Sequence, residues 1–239
     1  MKRTVRKIIS LISREFHGHK LELTTQLKIR AIKSSCLFIE SNSNHLTNYF
    51  SDHWKMRADV IKKIPPTGLL LEFGVNRGRS ANFFCNTLDE NKDQRPYYGF
   101  DTFTGLTEDW GGVAPAGTFN RDGSPPDLNE RVELVIGNIL DTFEPFLEKN
   151  TDPIAFLHID TDTYTPCAHV LRLAKPRLTN GSVILFDELI GYPNYQSHEL
   201  KALLEYLPRE SYRYISFGVS HPRGNLIKEA IEIVDDSLL

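Results

Sequence analysis

The sequence predicts an α/β domain with a doubly wound, mostly parallel, seven-stranded sheet, a C-terminal antiparallel hairpin and an N-terminal helical cap. Two observations support this prediction. From about residue 66 onward, strand-like and helix-like segments alternate regularly, which is typical of βαβ crossovers. The strand-like segments are apolar without strict alternation, as expected for strands covered by helices on both faces. We therefore divide the chain into a cap, residues 1–65, and a main domain, residues 66–239.

Composition excludes several classes of protein. A chain of 239 residues with 40% hydrophobic residues can bury one α/β core. A net charge of -3 argues against a nucleic-acid partner, whose phosphates require a basic surface. The cysteines Cys36, Cys85 and Cys167 are widely spaced and odd in number, which favours reduced thiols. The sequence contains neither an apolar run long enough to span a membrane nor the apolar core of a signal peptide, so we expect a cytoplasmic protein.

The cap begins with a basic, amphipathic segment, KRTVRKIISLISREF, which predicts a helix with an apolar face. Such a helix can lie on an anionic membrane. Because most apolar faces of this kind pack on protein, we expect this one to pack on the domain or on a second subunit of a homo-oligomer. A further cap helix is predicted from about Asp52 to Ile64, where Pro65 and Pro66 end it.

Seven segments of the main domain are predicted to be strands. In chain order they are GLLLEFGV, PYYGFD, VELVIGN, PIAFLHID, GSVILFDE, YRYISFGVS and LIKEAIEIV. Helices are predicted from Ser80, near Thr165 and Pro166, and over HELKALLEYL. The last two strands are separated by HPRGN and should form an antiparallel hairpin at the edge of the sheet.

The first strand runs into a glycine-containing turn, E-x-G-x-x-x-G-x-S, from Glu72 to Ser80. Its glycines, Gly74 and Gly78, allow the backbone to come close to a ligand, and the helix that follows presents free N–H groups to an anion. Asn76 stands where a dinucleotide-binding turn has its second glycine, which disfavours a pyrophosphate. Asp101, at the end of the second strand, is placed to accept both hydroxyls of a ribose. The pattern therefore predicts a nucleoside ligand without a pyrophosphate.

Acidic side chains end four of the first five predicted strands. They are Glu72, Asp101, Asp160 with Asp162, and Asp187 with Glu188. The carboxyl ends of parallel strands are where open α/β sheets bind their ligands. One such acid could simply cap a helix, but a row of them favours a functional cluster.

Five motifs together resemble a known family. LLEFGVNRGRS, YGFDTFTGL, IGNILDTF, HIDTDTY and ILFDE, in this order and spacing, resemble the class I S-adenosylmethionine-dependent methyltransferases, specifically the macrocin O-methyltransferase-like (TylF/MycF) group. The resemblance extends from about Leu69 to Leu207 and implies a Rossmann-like fold that binds S-adenosylmethionine. The implied cofactor-binding residues are Glu72, Gly74, Gly78, Ser80, Asp101, Thr102, Phe103 and Asn138.

Each position in this set has an implied partner in the cofactor. Gly74 and Gly78 would approach its methionine part, with Ser80 near the carboxylate. The ribose would bind Asp101, with Thr102 and Phe103 beside the nucleoside, and Asn138 would lie by the adenine.

The resemblance, shared with catechol O-methyltransferase, also implies a metal ion. Its ligands would be Asp160, Asp187 and Glu188, and Asp160 would also accept the proton of the substrate. All-oxygen ligation favours a hard cation, Mg²⁺ or another divalent ion. Related sequences often have Asp-Asp or Asp-Asn where this chain has Asp187 and Glu188. Asp162 is therefore an alternative to Glu188 as a ligand, unless it caps the helix that begins near Pro166.

These implications describe a metal-assisted O-methyltransferase. Its acceptor would be a small molecule with neighbouring oxygens, such as a sugar, polyol or phenol. Two alternatives are a cephalosporin hydroxylase-like enzyme on the same fold and a non-catalytic partner protein that binds S-adenosylmethionine.

Two further features have alternative interpretations. Residues Thr104 to Asn129 are rich in Gly, Pro and Asp, and they predict either a lid over the substrate or a disordered loop. His158, His198 and His221 are each either a candidate base or a structural, hydrogen-bonded residue.

Overall fold

The computed structural model describes residues 23–219 and 226–239. Its α-helices are α1 (Leu23–Asn42), α2 (His53–Ile61), α3 (Arg79–Glu90), α4 (Ile139–Lys149), α5 (Tyr164–Ala174) and α6 (Glu199–Tyr206). Its strands are β1 (Asn48–Phe50), β2 (Leu69–Phe73), β3 (Tyr97–Asp101), β4 (Val132–Ile136), β5 (Ile154–Ile159), β6 (Leu178–Ile190), β7 (Tyr212–Val219) and β8 (Ile227–Ile233). The predicted basic helix at the N-terminus and His221 lie outside the described residues. No helix in the described part of the chain is long and apolar enough to cross a membrane.

The strands form one sheet in the order β1-β7-β8-β6-β5-β2-β3-β4. Strand β8 is antiparallel to both of its neighbours, β6 and β7, and every other pair is parallel. The predicted mostly parallel sheet and C-terminal antiparallel hairpin are confirmed. The sheet has eight strands rather than the predicted seven, because residues 48–50 pair with β7 and cover the outer edge of the hairpin.

Helices cover both faces of the sheet, as the doubly wound prediction requires. On one face, α4 and α5 pack over an apolar layer in which the rings of Phe73 and Phe100 stack with centroids 4.5 Å apart. On the other face, α2 and α3 pack over a layer that includes Phe84 and Phe156. All residues of β2 and β5 are buried, which explains why their sequences do not alternate.

The site lies where the winding of the chain reverses. The chain passes from β2 outward to β3 and β4, then returns to β5 and β6 on the other side of β2. This arrangement leaves a crevice above the carboxyl ends of β2 and β5, the usual ligand site of such sheets. Gly74, just after β2, has a φ of +96°, and a Cβ placed on it would lie 1.9 Å from the carbonyl oxygen of Asp160. Only glycine therefore fits at this crossing of the two strand ends.

Candidate functional site

A cavity of about 340 Å³ opens at the carboxyl ends of β2, β3, β5 and β6. The predicted site residues that line it are Gly74, Asp101, Thr102, Asn138, Asp160, Asp187 and Glu188. Asp162, the alternative metal ligand, lines it as well. The structure thus brings most of the predicted cofactor and metal residues into one space, although they come from widely separated parts of the sequence.

The carboxylate of Asp101 holds the glycine turn at one end of this cavity. One oxygen accepts hydrogen bonds from the backbone N–H groups of Val75, at 2.8 Å, and Asn76, at 2.7 Å. The other oxygen accepts from the N–H of Phe103 at 2.7 Å. Asp101 is therefore ordered before any ligand binds, and its second oxygen keeps the capacity to accept a further hydrogen bond.

Glu72 and Ser80 lie behind the cavity wall rather than on it. Glu72 is fully buried, accepts a short hydrogen bond from the Ser80 hydroxyl, and lies 3.0 Å from Nδ1 of His158. These contacts tie the first turn of α3 to β5. Gly78, the N-cap residue of α3 with a φ of +69°, also lies outside the cavity lining. The predicted contacts of these residues with the cofactor stay predictions.

Phe103 is predicted to lie beside the nucleoside, and this contact with the cofactor stays a prediction. Its side chain is buried and does not line the cavity, whereas the neighbouring Thr102 does. The Phe103 carbonyl accepts hydrogen bonds from the N–H groups of Arg121 and Gly123. Phe103 therefore anchors the long loop that follows β3.

Three carboxylates form an acidic cluster at the other end of the cavity. Ligand oxygens of Asp160, Asp162 and Glu188 all lie within 4.8 Å of one another. Burial and the neighbouring carboxylates raise the pKa of Asp160 and of Asp162 well above their ordinary value, and burial also raises the pKa of Glu188. Among residues 23–219 and 226–239, no basic side chain forms an ion pair with Asp160 or Asp162.

Asp187 differs from these three carboxylates because two buried cationic side chains form ion pairs with it. The guanidinium of Arg57 on α2 and the ammonium of Lys228 on β8 each form a short ion pair with its carboxylate. Nε2 of His158 lies 3.6 Å away. Although burial alone would raise the pKa of Asp187, Lys228 and Arg57 hold it well below its ordinary value. The predicted ligands Asp160, Asp187 and Glu188 are thus adjacent, but they differ in the number of cationic side chains that pair with them. Asp187 has two, Glu188 has one, and Asp160 has none among the described residues.

Two of the three histidine candidates, His158 and His198, lie within the described residues. His158 is fully buried between Glu72 and Asp187, so it has the partners of a structural residue and does not reach the cavity lining. His198 is also buried, and burial lowers its pKa.

Two basic residues of the site were missed by the sequence analysis. Lys228 interrupts the apolar strand sequence LIKEAIEIV, and Arg57 lies on the buried face of α2 beside Val60 and Ile61. In the sequence, each residue is marked only as a charged residue among apolar ones. That pattern does not identify Asp187 as the partner of either residue.

The loop from Thr104 to Asn129 forms a wall of the cavity, as the lid interpretation expects. Trp110, which is buried, and Phe119, at the mouth, both line the cavity. The Glu108 carboxylate accepts hydrogen bonds from the Thr165 N–H at 2.9 Å and the Thr165 hydroxyl at 2.8 Å. This contact fastens the loop to the first turn of α5.

The chain matches the methyltransferase domain family over residues 71–189. Its fold is similar to that of the calicheamicin methyltransferase CalS11, with a TM-score of 0.60 and 25% identity over 77% of this chain and 78% of that chain. An apo structure of CalS11, a TDP-rhamnose 3'-O-methyltransferase, gives a TM-score of 0.54 with the same identity and coverage. No curated protein sequence matches the chain.

Two other solved structures share the fold. The O-methyltransferase NovP gives a TM-score of 0.54 and 18% identity over 77% of this chain and 80% of that chain. An O-methyltransferase from Bacillus cereus in complex with SAH gives 0.50 and 14% identity over 92% of this chain and 97% of that chain. Together with the match to the methyltransferase domain, the similarity to CalS11 confirms the predicted class I S-adenosylmethionine-dependent methyltransferase of the TylF-like type.

Proposed function

We propose that the enzyme transfers the methyl group of S-adenosylmethionine to a hydroxyl of a sugar, polyol or phenol, assisted by a divalent cation. The layout of the cavity supports this proposal. A single cavity has the glycine turn and Asp101 at one end and the cluster of Asp160, Asp162 and Glu188 at the other. A cofactor and an oxygen-rich acceptor can therefore meet in one space, which is what methyl transfer requires.

The cofactor end of the cavity fits a nucleoside with an amino-acid tail. Asp101 would accept the ribose hydroxyls, and Thr102 and Asn138, which also line the cavity, would lie beside the nucleoside. The tail would pass over Gly74, where a side chain would collide with the backbone of Asp160. Bound there, S-adenosylmethionine supplies a methyl group that is already activated, so the protein must mainly align the acceptor.

The acidic end fits a hard divalent cation. It offers only oxygen ligands, and Asp162 and Glu188 are 6% and 5% exposed. Buried carboxylates this close repel one another, and a cation would relieve that repulsion. When bound to Asp160, Asp162 and Glu188, the cation would orient the acceptor and make its hydroxyl more acidic.

The chain's own residues would complete the reaction. Asp160, which adjoins Gly74 and belongs to the acidic cluster, is the proposed proton acceptor, because it lies where the cofactor end and the acidic end meet. Trp110 and Phe119 would exclude water and pack against a ring-shaped acceptor. The similarity to CalS11, which acts on TDP-rhamnose, favours a sugar hydroxyl as the acceptor.

The experiment is a transfer assay with methyl-labelled S-adenosylmethionine and a panel of nucleotide sugars, free sugars, polyols and catechols. We expect labelling of a sugar hydroxyl, loss of labelling on chelation, and recovery with Mg²⁺. Asp160→Asn should abolish transfer, whereas Asp152→Asn, at an exposed position before β5, should not. Full activity after exhaustive chelation would exclude the metal, and an Asp160→Asn variant with wild-type activity would exclude the proposed base.

A further inference from the structure

Lys228 and Arg57 introduce two fixed positive charges beside the acidic cluster. Lys228 is 5% exposed and Arg57 is 4% exposed, so solvent screens neither of them well. Both form ion pairs with Asp187. Nζ of Lys228 also lies 3.1 Å from Oε2 of Glu188. Lysine and arginine are almost never buried unless they are paired, so these contacts are part of how the site is built.

The two cations distinguish Asp187 from its neighbours. Each oxygen of Asp187 is already engaged, Oδ1 by Arg57 and Oδ2 by Lys228. A divalent ion bound to Asp187 would have to displace one of these cations or lie against both of them. Asp160 and Asp162, in contrast, have no ion-pair partner in the described part of the chain.

We infer that Asp187 is not a ligand of the divalent cation but the buried counter-ion of Arg57 and Lys228. The inference rests on the proposed function, since it concerns the ligands of the proposed cation. It also explains why a glutamate follows Asp187 in this chain. The ligand atoms of His158, Asp160 and Asp187 also lie within 4.8 Å of one another, but both oxygens of Asp187 are already paired with cations. The longer side chain of Glu188 therefore supplies the carboxylate that meets Asp160 and Asp162, within 4.8 Å.

Titration of the full-length protein with Mn²⁺, followed by electron paramagnetic resonance of the free ion, tests the ligand set without an activity assay. We expect Asp162→Asn to weaken Mn²⁺ binding by roughly tenfold or more, because a ligand is lost. Asp187→Asn should change the Mn²⁺ affinity by less than about threefold but lower the melting temperature, because it removes the carboxylate paired with buried Arg57 and leaves buried Lys228 with Glu188 alone.

Lys228→Met is the complementary variant, and Lys228→Arg, which keeps the positive charge, is its control. Lys228→Met should bind Mn²⁺ roughly tenfold more tightly, because it removes a positive charge next to Glu188. Lys228→Arg should bind Mn²⁺ about as the wild type does.

Loss of Mn²⁺ binding in Asp187→Asn as large as in Asp162→Asn would overturn the inference. If Asp187→Asn does not fold, anomalous diffraction from a wild-type crystal containing Mn²⁺ decides the question. We expect the peak at the oxygens of Asp160, Asp162 and Glu188, and a peak bonded to Asp187 would overturn the inference. No Mn²⁺ binding by the wild type would overturn the cation site itself, whereas methyl transfer in the labelled assay would still support the rest of the proposed function.

Discussion

At the residue scale, four non-glycine residues in or next to the cavity lining have left-handed backbone conformations. Asn76, Phe103, Phe119 and Asp162 have φ values of +46°, +57°, +70° and +63°. Such conformations cost of order 1–3 kcal/mol each and occur mostly where a site requires them. Hydrogen bonds from the Asn76 and Phe103 N–H groups to Asp101 stabilise two of the four. These two residues lie beside Asp101, at the cofactor end.

The first prediction concerns Asp101. In Asp101→Asn one carboxylate oxygen becomes an NH₂ group, which cannot accept the backbone hydrogen bonds of the turn. Each lost hydrogen bond to a charged group is worth about 1.5–3 kcal/mol, so calorimetry should show at least a tenfold loss of affinity for S-adenosylhomocysteine. Asp59→Asn, which breaks a partly exposed ion pair with Lys63, is the control. Equal affinities in wild type and Asp101→Asn would exclude the assigned role.

The second prediction concerns the stability of the protein as a function of pH. Burial and nearby Glu188 raise the pKa of Glu199 from 4.5 to about 8. Between these values the folded protein holds a proton that the unfolded chain has released. Stability should therefore fall as pH rises through this window, by at most about 1.4 kcal/mol per pH unit from this group.

Glu199→Gln removes this titration, and its amide oxygen can still accept the hydrogen bonds from Thr161. Urea unfolding between pH 5 and pH 8 should show a smaller decline in stability for Glu199→Gln than for the wild type. The control, Glu148→Gln on the exposed side of α4, should decline as the wild type does. An unchanged decline in Glu199→Gln would contradict the pKa assigned to this carboxyl.

At the scale of elements, the crossing of β2 and β5 is the tightest point of the site. A Cβ on Gly74 would lie 1.9 Å from the carbonyl oxygen of Asp160, whereas a Cβ on Gly123 would meet nothing within 4 Å. Both glycines have positive φ, at +96° and +73°. Gly123→Ala therefore adds only backbone strain, and Gly74→Ala adds a collision as well.

The third prediction compares the stabilities of the Gly74→Ala and Gly123→Ala variants. Gly123→Ala should cost about 1–2 kcal/mol of unfolding free energy, and Gly74→Ala should cost at least a further 1–3 kcal/mol because β2 and β5 must separate. Chemical denaturation of the two variants measures the difference. Equal stabilities would show that the strand ends are not held together as described.

The fourth prediction concerns the loop from Thr104 to Asn129. Glu108→Ala removes both hydrogen bonds to Thr165 and leaves the cavity lining unchanged. We expect faster proteolysis within the loop and a higher KM for the acceptor, with little change in affinity for S-adenosylhomocysteine. The control, Glu130→Ala, lies just beyond the loop. Wild-type proteolysis of Glu108→Ala would contradict the anchoring role.

The elements differ in how well the sequence predicts them. The buried strands have apolar runs long enough to detect, and the last two form the predicted hairpin. The helix predicted near Pro166 begins two residues before Pro166, at Tyr164, and Thr163 rather than Asp162 is its N-cap residue. Strand β1 was missed because it is only three residues long and is stabilised by pairing with β7, a partner far along the chain.

The site was predictable to the extent that it depends on strand ends. Asp101, Asp160 and Glu188 lie at or near the ends of strands whose order a βαβ pattern implies, so their convergence follows from topology. The ion pairs of Arg57 and Lys228 with Asp187 do not follow from this pattern. They depend on β8 lying beside β6 and on where α2 packs. Such long-range neighbours leave no local signal in the sequence.

At the scale of the whole molecule, the segment predicted as a cap is connected to the main domain at two points. Strand β1 extends the sheet beyond β7, and Arg57 of α2 reaches Asp187 at the rim of the cavity. We propose that residues 23–65 contribute to the site as well as covering it. Removal of this segment would expose the edge of β7 and leave Asp187 with Lys228 as its main cationic partner.

We propose above all that one cavity binds the cofactor at the glycine turn and presents its methyl group to the acidic cluster. A crystal structure of the complex with S-adenosylhomocysteine tests this claim most directly. We predict density for the ribose at Asp101, for the adenine beside Asn138, and for the sulfur on the side facing Asp160. Density for the ligand outside this cavity, or none in the cavity at saturating ligand, would contradict it.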